Sequence, residues 1–176
     1  MRRLRVKQST EYDICSVTDA SHDTDLVRQI ANIEALIQPH DAWSQDSIAS
    51  LLSQDSNHCW AVIEGSLKAN VGDENEIKVV AYCLYSTVFE TAEILRIGTH
   101  PKYQRQGLAT CLLKPLIKHM PNKELERILL EVRADNHAAI ALYKKMGFEL
   151  IHTRIAYYSS PVCDALIMAY QDTNND

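Results

Sequence analysis

No stretch of the sequence reaches the roughly 18 consecutive apolar residues of a membrane-spanning helix, and the basic opening MRRLRVKQST leads into no apolar segment of the kind a secretory leader requires. Cysteine occurs at five scattered positions, Cys15, Cys59, Cys83, Cys111 and Cys163, without a C-x-x-C pair, and no H-E-x-x-H is present. That pattern gives no support to a disulfide framework or a metal site. A reducing, cytoplasmic setting is expected, with no metal and no membrane. Acidic residues are missing from one place only: Arg2, Arg3, Arg5 and Lys7 stand in the first ten residues with no acid among them. The net charge of the chain is −5, and residues 8–176 carry 14 basic against 23 acidic side chains, or −9. Such a body is a poor surface for nucleic acid; it serves solubility or a cationic partner.

What is present is enough for one core. At 176 residues and 46% apolar content the chain is expected to form a single domain over 1–176, with residues 1–10 as a basic extension and 172–176 as a polar tail. Nothing in it points beyond a monomer or weak dimer. Leu26, Ile30, Ile33 and Ile37 recur at helical spacing after Asp25, and a short helix follows with Ser44 as its N-cap and Ile48, Leu51 and Leu52 as its buried stripe. HCWAVIEG and IKVVAYCLYSTVF read as paired strands joined by a long polar loop, and ETAEILRIGTH as a third, ended by Pro101. GLATCLLKPLIKHM is expected to be a helix kinked or shortened at Pro115. In ERILLEVRA, Ile128, Leu130 and Val132 form one apolar face, and Glu131 lies on the other. NHAAIALYKKMGF reads as a helix with Asn136 as N-cap and Gly147 just past its end, before two last strands. The order β, α, α, β, β, β, α, β, α, β, β implies an α/β class with a mixed sheet and helices on both faces, rather than a doubly wound fold.

The stretch PKYQRQGLAT raises the question of function. It puts Gly107 between a strand and a helix, yet it has too few glycines for a dinucleotide fingerprint and no P-loop lysine. A strand that opens a helix through a tight turn still leaves several backbone N–H groups aimed at one spot, which suits a phosphate. An ordinary strand–helix turn with a left-handed glycine is the local alternative.

Gln104-Arg105-Gln106-Gly107-Leu108-Ala109 resembles the Q/R-x-x-G-x-G/A signature of the GNAT acetyltransferases, whose turn cradles the pyrophosphate of coenzyme A. A second block, LLEVRADNHAAIALYKKMGFELIHTRIAYY, is similar to the E-V-R-x-x-N-x-x-A-I-x-L-Y-x-x-x-G-F and R-x-x-Y-Y pattern of the RimI-type branch, the ribosomal-protein alanine N-acetyltransferases. Departures stand at Arg96, where the branch usually has Asn, at Ala42 before Trp43-Ser44, and at Ala81. Against that branch, the first ten residues and the Ser66–Glu76 loop stand out as additions.

The resemblance implies a GNAT fold with a central, mainly antiparallel mixed sheet, acetyl-CoA as co-substrate, and as acceptor the amine at a protein N-terminus, that of a small-subunit ribosomal protein. Glu131 falls on the family's general base, and Tyr143 on the acid that protonates the leaving thiolate. Ile97, Gly98 and Thr99 fall on the strand segment that pairs with pantetheine, with Gly98 giving close approach. Arg105, Gln106, Gly107, Leu108, Ala109 and Thr110 fall on the phosphate cradle, and Asn136 on a cofactor-binding position. Read locally, Glu131 is a surface carboxylate paired with Arg133, Tyr143 packs a helix, Asn136 is a plain cap and Arg105 a solvated charge. Cys111 reads as core, and His100 as a minor candidate to assist the base. Acetylation of a small amine such as a polyamine or aminoglycoside, or of lysine side chains, is the alternative within the class. A non-catalytic acyl-CoA-binding regulatory domain is the alternative outside it.

Overall fold

The computed structural model describes residues 2–5, 11–17, 23–64, 77–119 and 125–171. The Ser66–Glu76 loop, the 172–176 tail and residues 6–10 of the basic extension lie outside the described residues. The elements are β1 (Arg2–Arg5), β2 (Glu11–Val17), α1 (Thr24–Ile37), α2 (Gln45–Leu52), β3 (Asn57–Glu64), β4 (Lys78–Val88), β5 (Thr91–Thr99), α3 (Leu108–His119), β6 (Arg127–Arg133), α4 (His137–Lys145), β7 (Glu149–Ser159) and β8 (Val162–Gln171). A single 3-10 turn, Pro101–Tyr103, precedes α3. The hydrogen-bonded strand order is β1-β2-β3-β4-β5-β6-β8-β7. Antiparallel pairs dominate, and the parallel ladder joins Thr91–Ile94 of β5 to Arg127–Leu130 of β6, so the sheet is mixed as expected. The chain divides into two compact units, residues 1–85 with 96–112, and residues 86–95 with 113–176.

In the first unit the basic start is not merely an appendage. Arg2–Arg5 pairs with Glu11–Ile14 as β1, which adds a strand ahead of the expected order. The apolar stripe of α1 is also rotated from its expected position. Val27, Ile30 and Ile33 are buried, while Leu26 and Ile37 are half-buried, and the acid Glu34 has no exposed surface. These residues pack with Ile48 of α2, Cys59, Ala61 and Ile63 of β3 and Tyr82 and Leu84 of β4. Each fully buried aliphatic side chain contributes about 1.5–3 kcal/mol. Ser44 caps α2 as read from the sequence, its Oγ accepting the Ser47 N–H at 3.1 Å.

In the second unit Ile128, Leu130 and Val132 of β6 are buried at 0, 2 and 5% exposure, the one-sided pattern their alternation implies. Asn136 Oδ1 accepts the Ala139 N–H at 3.2 Å and starts α4. Gly147 ends it at φ +92°, where an added Cβ would meet the Tyr170 ring at 3.1 Å. Tyr143, Phe148 and Tyr170 form an aromatic row with centroids 5.8 and 5.7 Å apart. Helix α3 runs through Pro115 to His119, so the proline does not end it.

Candidate active site

The phosphate-cradle residues follow the 3-10 turn. His100 Nδ1 accepts the Lys102 N–H at 3.2 Å and so caps this turn. Tyr103 donates its hydroxyl hydrogen to Glu64 Oε2 at 2.5 Å, and Lys78 Nζ stands 5.2 Å from the Tyr103 ring centroid. Arg105 and Gly107 both take left-handed backbone conformations, at φ +62° and +80°. The first helical bond of α3 is Cys111 N–H to the Gly107 carbonyl at 3.0 Å, so the N–H groups of Leu108, Ala109 and Thr110 precede the helical ladder. Leu108 is buried and anchors the helix start, whereas Arg105, Gln106 and Gly107 are exposed. An added Cβ on Gly107 would meet nothing within 4 Å.

Tyr12 of β2 donates its hydroxyl hydrogen to Gln106 Oε1 at 2.9 Å. Burial, with Glu64 and Tyr103 adding to it, raises the Tyr12 pKa above its usual value, which keeps the phenol a donor. No local signal in the sequence marks Tyr12 or Glu64.

Ile97 and Thr99 are half-buried on β5, and Gly98 is buried between them. The side-chain space of Gly98 is filled: a Cβ there would lie 2.6 Å from Ile37 Cδ1 and from Tyr82 Cε1. Packing against α1 and β4 therefore demands glycine at this position, a reason for it other than room for a ligand.

Arg96, one of the departures from the family pattern, belongs to a cluster in the same unit. Its guanidinium carbon lies 4.8 Å from the Trp43 ring centroid, Nη2 is 2.6 Å from Asp41 Oδ2, and Nε is 3.8 Å from Glu34 Oε2. Glu34 also accepts the Tyr82 hydroxyl hydrogen and the Trp43 N–H, the latter at 3.3 Å. Burial pushes the Glu34 carboxyl above its ordinary range, opposed by the Trp43 N–H and by Arg96.

The remaining candidates, Glu131, Asn136 and Tyr143, belong to the second unit. Glu131 projects from the side of β6 opposite its buried residues, with 26% of its side chain exposed. Its expected ion pair with Arg133 is not formed. Asp135, two residues along, takes the Arg133 fork at 3.0 and 2.9 Å, and these hydrogen bonds hold its carboxyl below the usual range. Glu131 is paired instead with Arg154 of β7, Nη1 to Oε2 at 3.0 Å, and the Tyr158 hydroxyl lies 3.5 Å from Oε1. Tyr143 is 5% exposed, its ring against Phe148, so its helix-packing role is real whatever else it does. Asn136 serves as a cap through Oδ1. The partners of Glu131 lie more than twenty residues away and were visible beforehand only as members of the R-x-x-Y-Y pattern, without a role.

Burial pushes the Cys83 thiol up to about 12 and Cys15 to about 11, leaving both protonated and unsuited to nucleophilic work. Among the described residues no group of three or more His, Cys, Asp or Glu is placed to hold a metal ion, and no helix is long and apolar enough to cross a membrane.

The sequence pattern of the acetyltransferase (GNAT) family matches residues 26–148. The chain belongs to the GNAT family. Among GNAT relatives it is 40% identical over 94 residues to a ribosomal protein bS18-alanine N-acetyltransferase of Escherichia coli, a match covering 52% of this chain and 64% of that protein. It is also 40% identical over 77 residues to an N-alpha-acetyltransferase of Saccharolobus solfataricus, covering 43% of this chain and 46% of that one. The chain thus matches less than two thirds of the length of either relative. Among solved GNAT structures, the crystal structure of the ribosomal-protein-S18-alanine N-acetyltransferase from Escherichia coli superposes with a TM-score of 0.74 at 28% identity, covering 94% of this chain and 98% of that one.

Proposed function

We propose that this chain is an acetyl-CoA-dependent Nα-acetyltransferase of the cytoplasm, acting on a protein amino terminus, with a small-subunit ribosomal protein as the acceptor class. The observation that carries the reading is the Glu131 carboxylate, held on the non-core side of β6 by Arg154 and Tyr158 yet 26% exposed. The relatives named above support the acceptor class, and the family supports the reaction type.

The residues present fit acetyl-CoA. The backbone N–H groups at the start of α3 suit a pyrophosphate, and the open space beside Gly107 leaves it room. Arg105 to Thr110 would hold the phosphates, Ile97 to Thr99 would offer backbone groups to pantetheine, and Asn136 would add a side-chain contact. When bound, acetyl-CoA supplies an activated acetyl thioester.

An α-amino group has a pKa of about 7.7–8.0, so at neutral pH a modest base suffices to free its lone pair. Glu131 takes that proton, directly or through one water. Tyr143 gives its hydroxyl proton to the departing thiolate, a transfer favoured only where that sulfur is poorly solvated. Because the attack is direct, no thiol of this chain needs to carry the acyl group.

Incubation of the purified chain with acetyl-CoA and a peptide beginning with alanine should give one acetyl group on the α-amine, mapped by fragmentation mass spectrometry, with an equal release of free thiol. Glu131→Gln should lower kcat about 10²–10⁴-fold while coenzyme A still binds. Turnover of polyamines, aminoglycosides or lysine side chains alone would replace the acceptor. Coenzyme A binding with no acetylation of any amine would leave an acyl-CoA-binding domain.

A further inference from the structure

Strand β7 does not pair regularly with β8. Arg154 stands opposite Ala165 and Tyr158 opposite Cys163, so four steps along β7 are matched by two along β8 and the chain between them is bulged. In a regular ladder Tyr158 would be carried two steps further on, about 6.8 Å, and out of reach of Glu131. With the bulge, Arg154 and Tyr158 address different oxygens of the same carboxylate, at 3.0 and 3.5 Å.

The bulge has a visible clamp. Ala156 takes a left-handed conformation at φ +50°, and its N–H is donated to Asp164 Oδ1 at 2.8 Å. The backbone carbonyl of the same Asp164 accepts the Ala134 N–H at 2.9 Å, so one residue ties the bulge to the end of β6, the strand that carries Glu131. The aromatic side chains complete the frame. The Arg154 guanidinium lies 5.1 Å from the Tyr157 ring centroid, and Arg133 lies 4.6 Å from that of Tyr158 while its fork is held by Asp135.

We infer that Arg154 is a positioning residue for the Glu131 carboxylate and that Asp164, by holding the β7 bulge, sets Arg154 and Tyr158 upon it. The inference rests on Glu131 as the proton acceptor. An ionised carboxylate offers about four acceptor positions, and the two protein partners use one on each oxygen, leaving others for the acceptor amine or a water. An ordinary exposed ion pair contributes little to stability. A pair that aims a base acts on turnover instead, because a misplacement of about 1 Å costs rate out of proportion to stability.

The experiment is a double-mutant cycle on the full chain, with steady-state kinetics against acetyl-CoA and an alanine-initiated peptide. Arg154→Met should lower kcat about ten- to a hundredfold, leave the KM for acetyl-CoA unchanged, and be partly rescued by Arg154→Lys. Asp164→Ala should change kcat in the same direction. In a Glu131→Gln background Arg154→Met should have no further effect. Full turnover in Arg154→Met, or an equal loss with and without Glu131, overturns the positioning role while leaving the base assignment intact. Wild-type turnover in Glu131→Gln alone overturns the base assignment, and this inference with it.

Discussion

Tyr12 and Gln106 are joined by a 2.9 Å hydrogen bond that spans 94 residues of sequence, so a side chain of β2 fixes the turn leading into α3. A hydrogen bond of this kind contributes about 0.5–1.5 kcal/mol. Tyr12→Phe should therefore weaken coenzyme A binding by roughly two- to tenfold, with kcat at saturating acetyl-CoA unchanged. Isothermal titration with coenzyme A reads the first effect, and an unaltered affinity would show that the turn keeps its shape without Tyr12.

Glu34 gives a pH dependence with a definite sign. Burial raises its pKa above the ordinary 4.5, so the folded protein holds this proton more tightly than the unfolded chain does. Its contribution to stability is complete below the unfolded-state value and is lost as pH rises through the folded-state value. The stability of the natural protein relative to Glu34→Gln should fall as pH is raised above 4.5 and then level off. Urea midpoints of both proteins across that range provide the check; parallel curves would refute it.

Gly98→Ala should destabilise the fold. The new methyl would stand 2.6 Å from the Tyr82 ring, which is fully buried and tied through its hydroxyl to Glu34, so the ring has nowhere to move. Overpacking of this kind costs about 1–3 kcal/mol, and each kcal/mol lowers Tm by roughly 2–4 °C for a chain of this size. A calorimetric scan that shows no loss would mean that α1 shifts to make room.

Phe89, at the turn between β4 and β5, is 90% exposed and sits at φ +50°, a left-handed conformation that penalises its Cβ. Phe89→Gly removes a strain of about 1–2 kcal/mol and adds some unfolded-state freedom, for a net gain of about 0.5–1 kcal/mol. Thermal denaturation should show a higher Tm. A lower one would reveal that the ring packs on something.

The parts of the fold legible in the sequence are those set by near neighbours. Ile128, Leu130 and Val132 alternate within one strand, Ser44 and Asn136 reach only three residues along to cap their helices, and Gly147 stands where α4 must end. Contacts between distant segments were not legible. The burial of Glu34 depends on Trp43, Tyr82 and Arg96, and no periodicity in α1 announces them. The face of Glu131 could be read from strand alternation, but its partner could not, because Asp135 competes locally for Arg133 and a bulge delivers Arg154 from another strand. Arg2–Arg5 was legible only as part of a basic extension, because four residues rich in arginine carry no strand pattern, yet its backbone pairs with β2.

Strand β7 is the last in the hydrogen-bonded order, eleven residues long, with Leu150, Ile151 and Ile155 all more than half exposed. A straight apolar edge of that length would offer another chain a ready row of backbone donors and acceptors, the usual route to aggregation. Its register shifts break that row in two places, after Leu150 and after Arg154. The irregularity that bends β7 toward a carboxylate also denies a second molecule a flat border to adhere to.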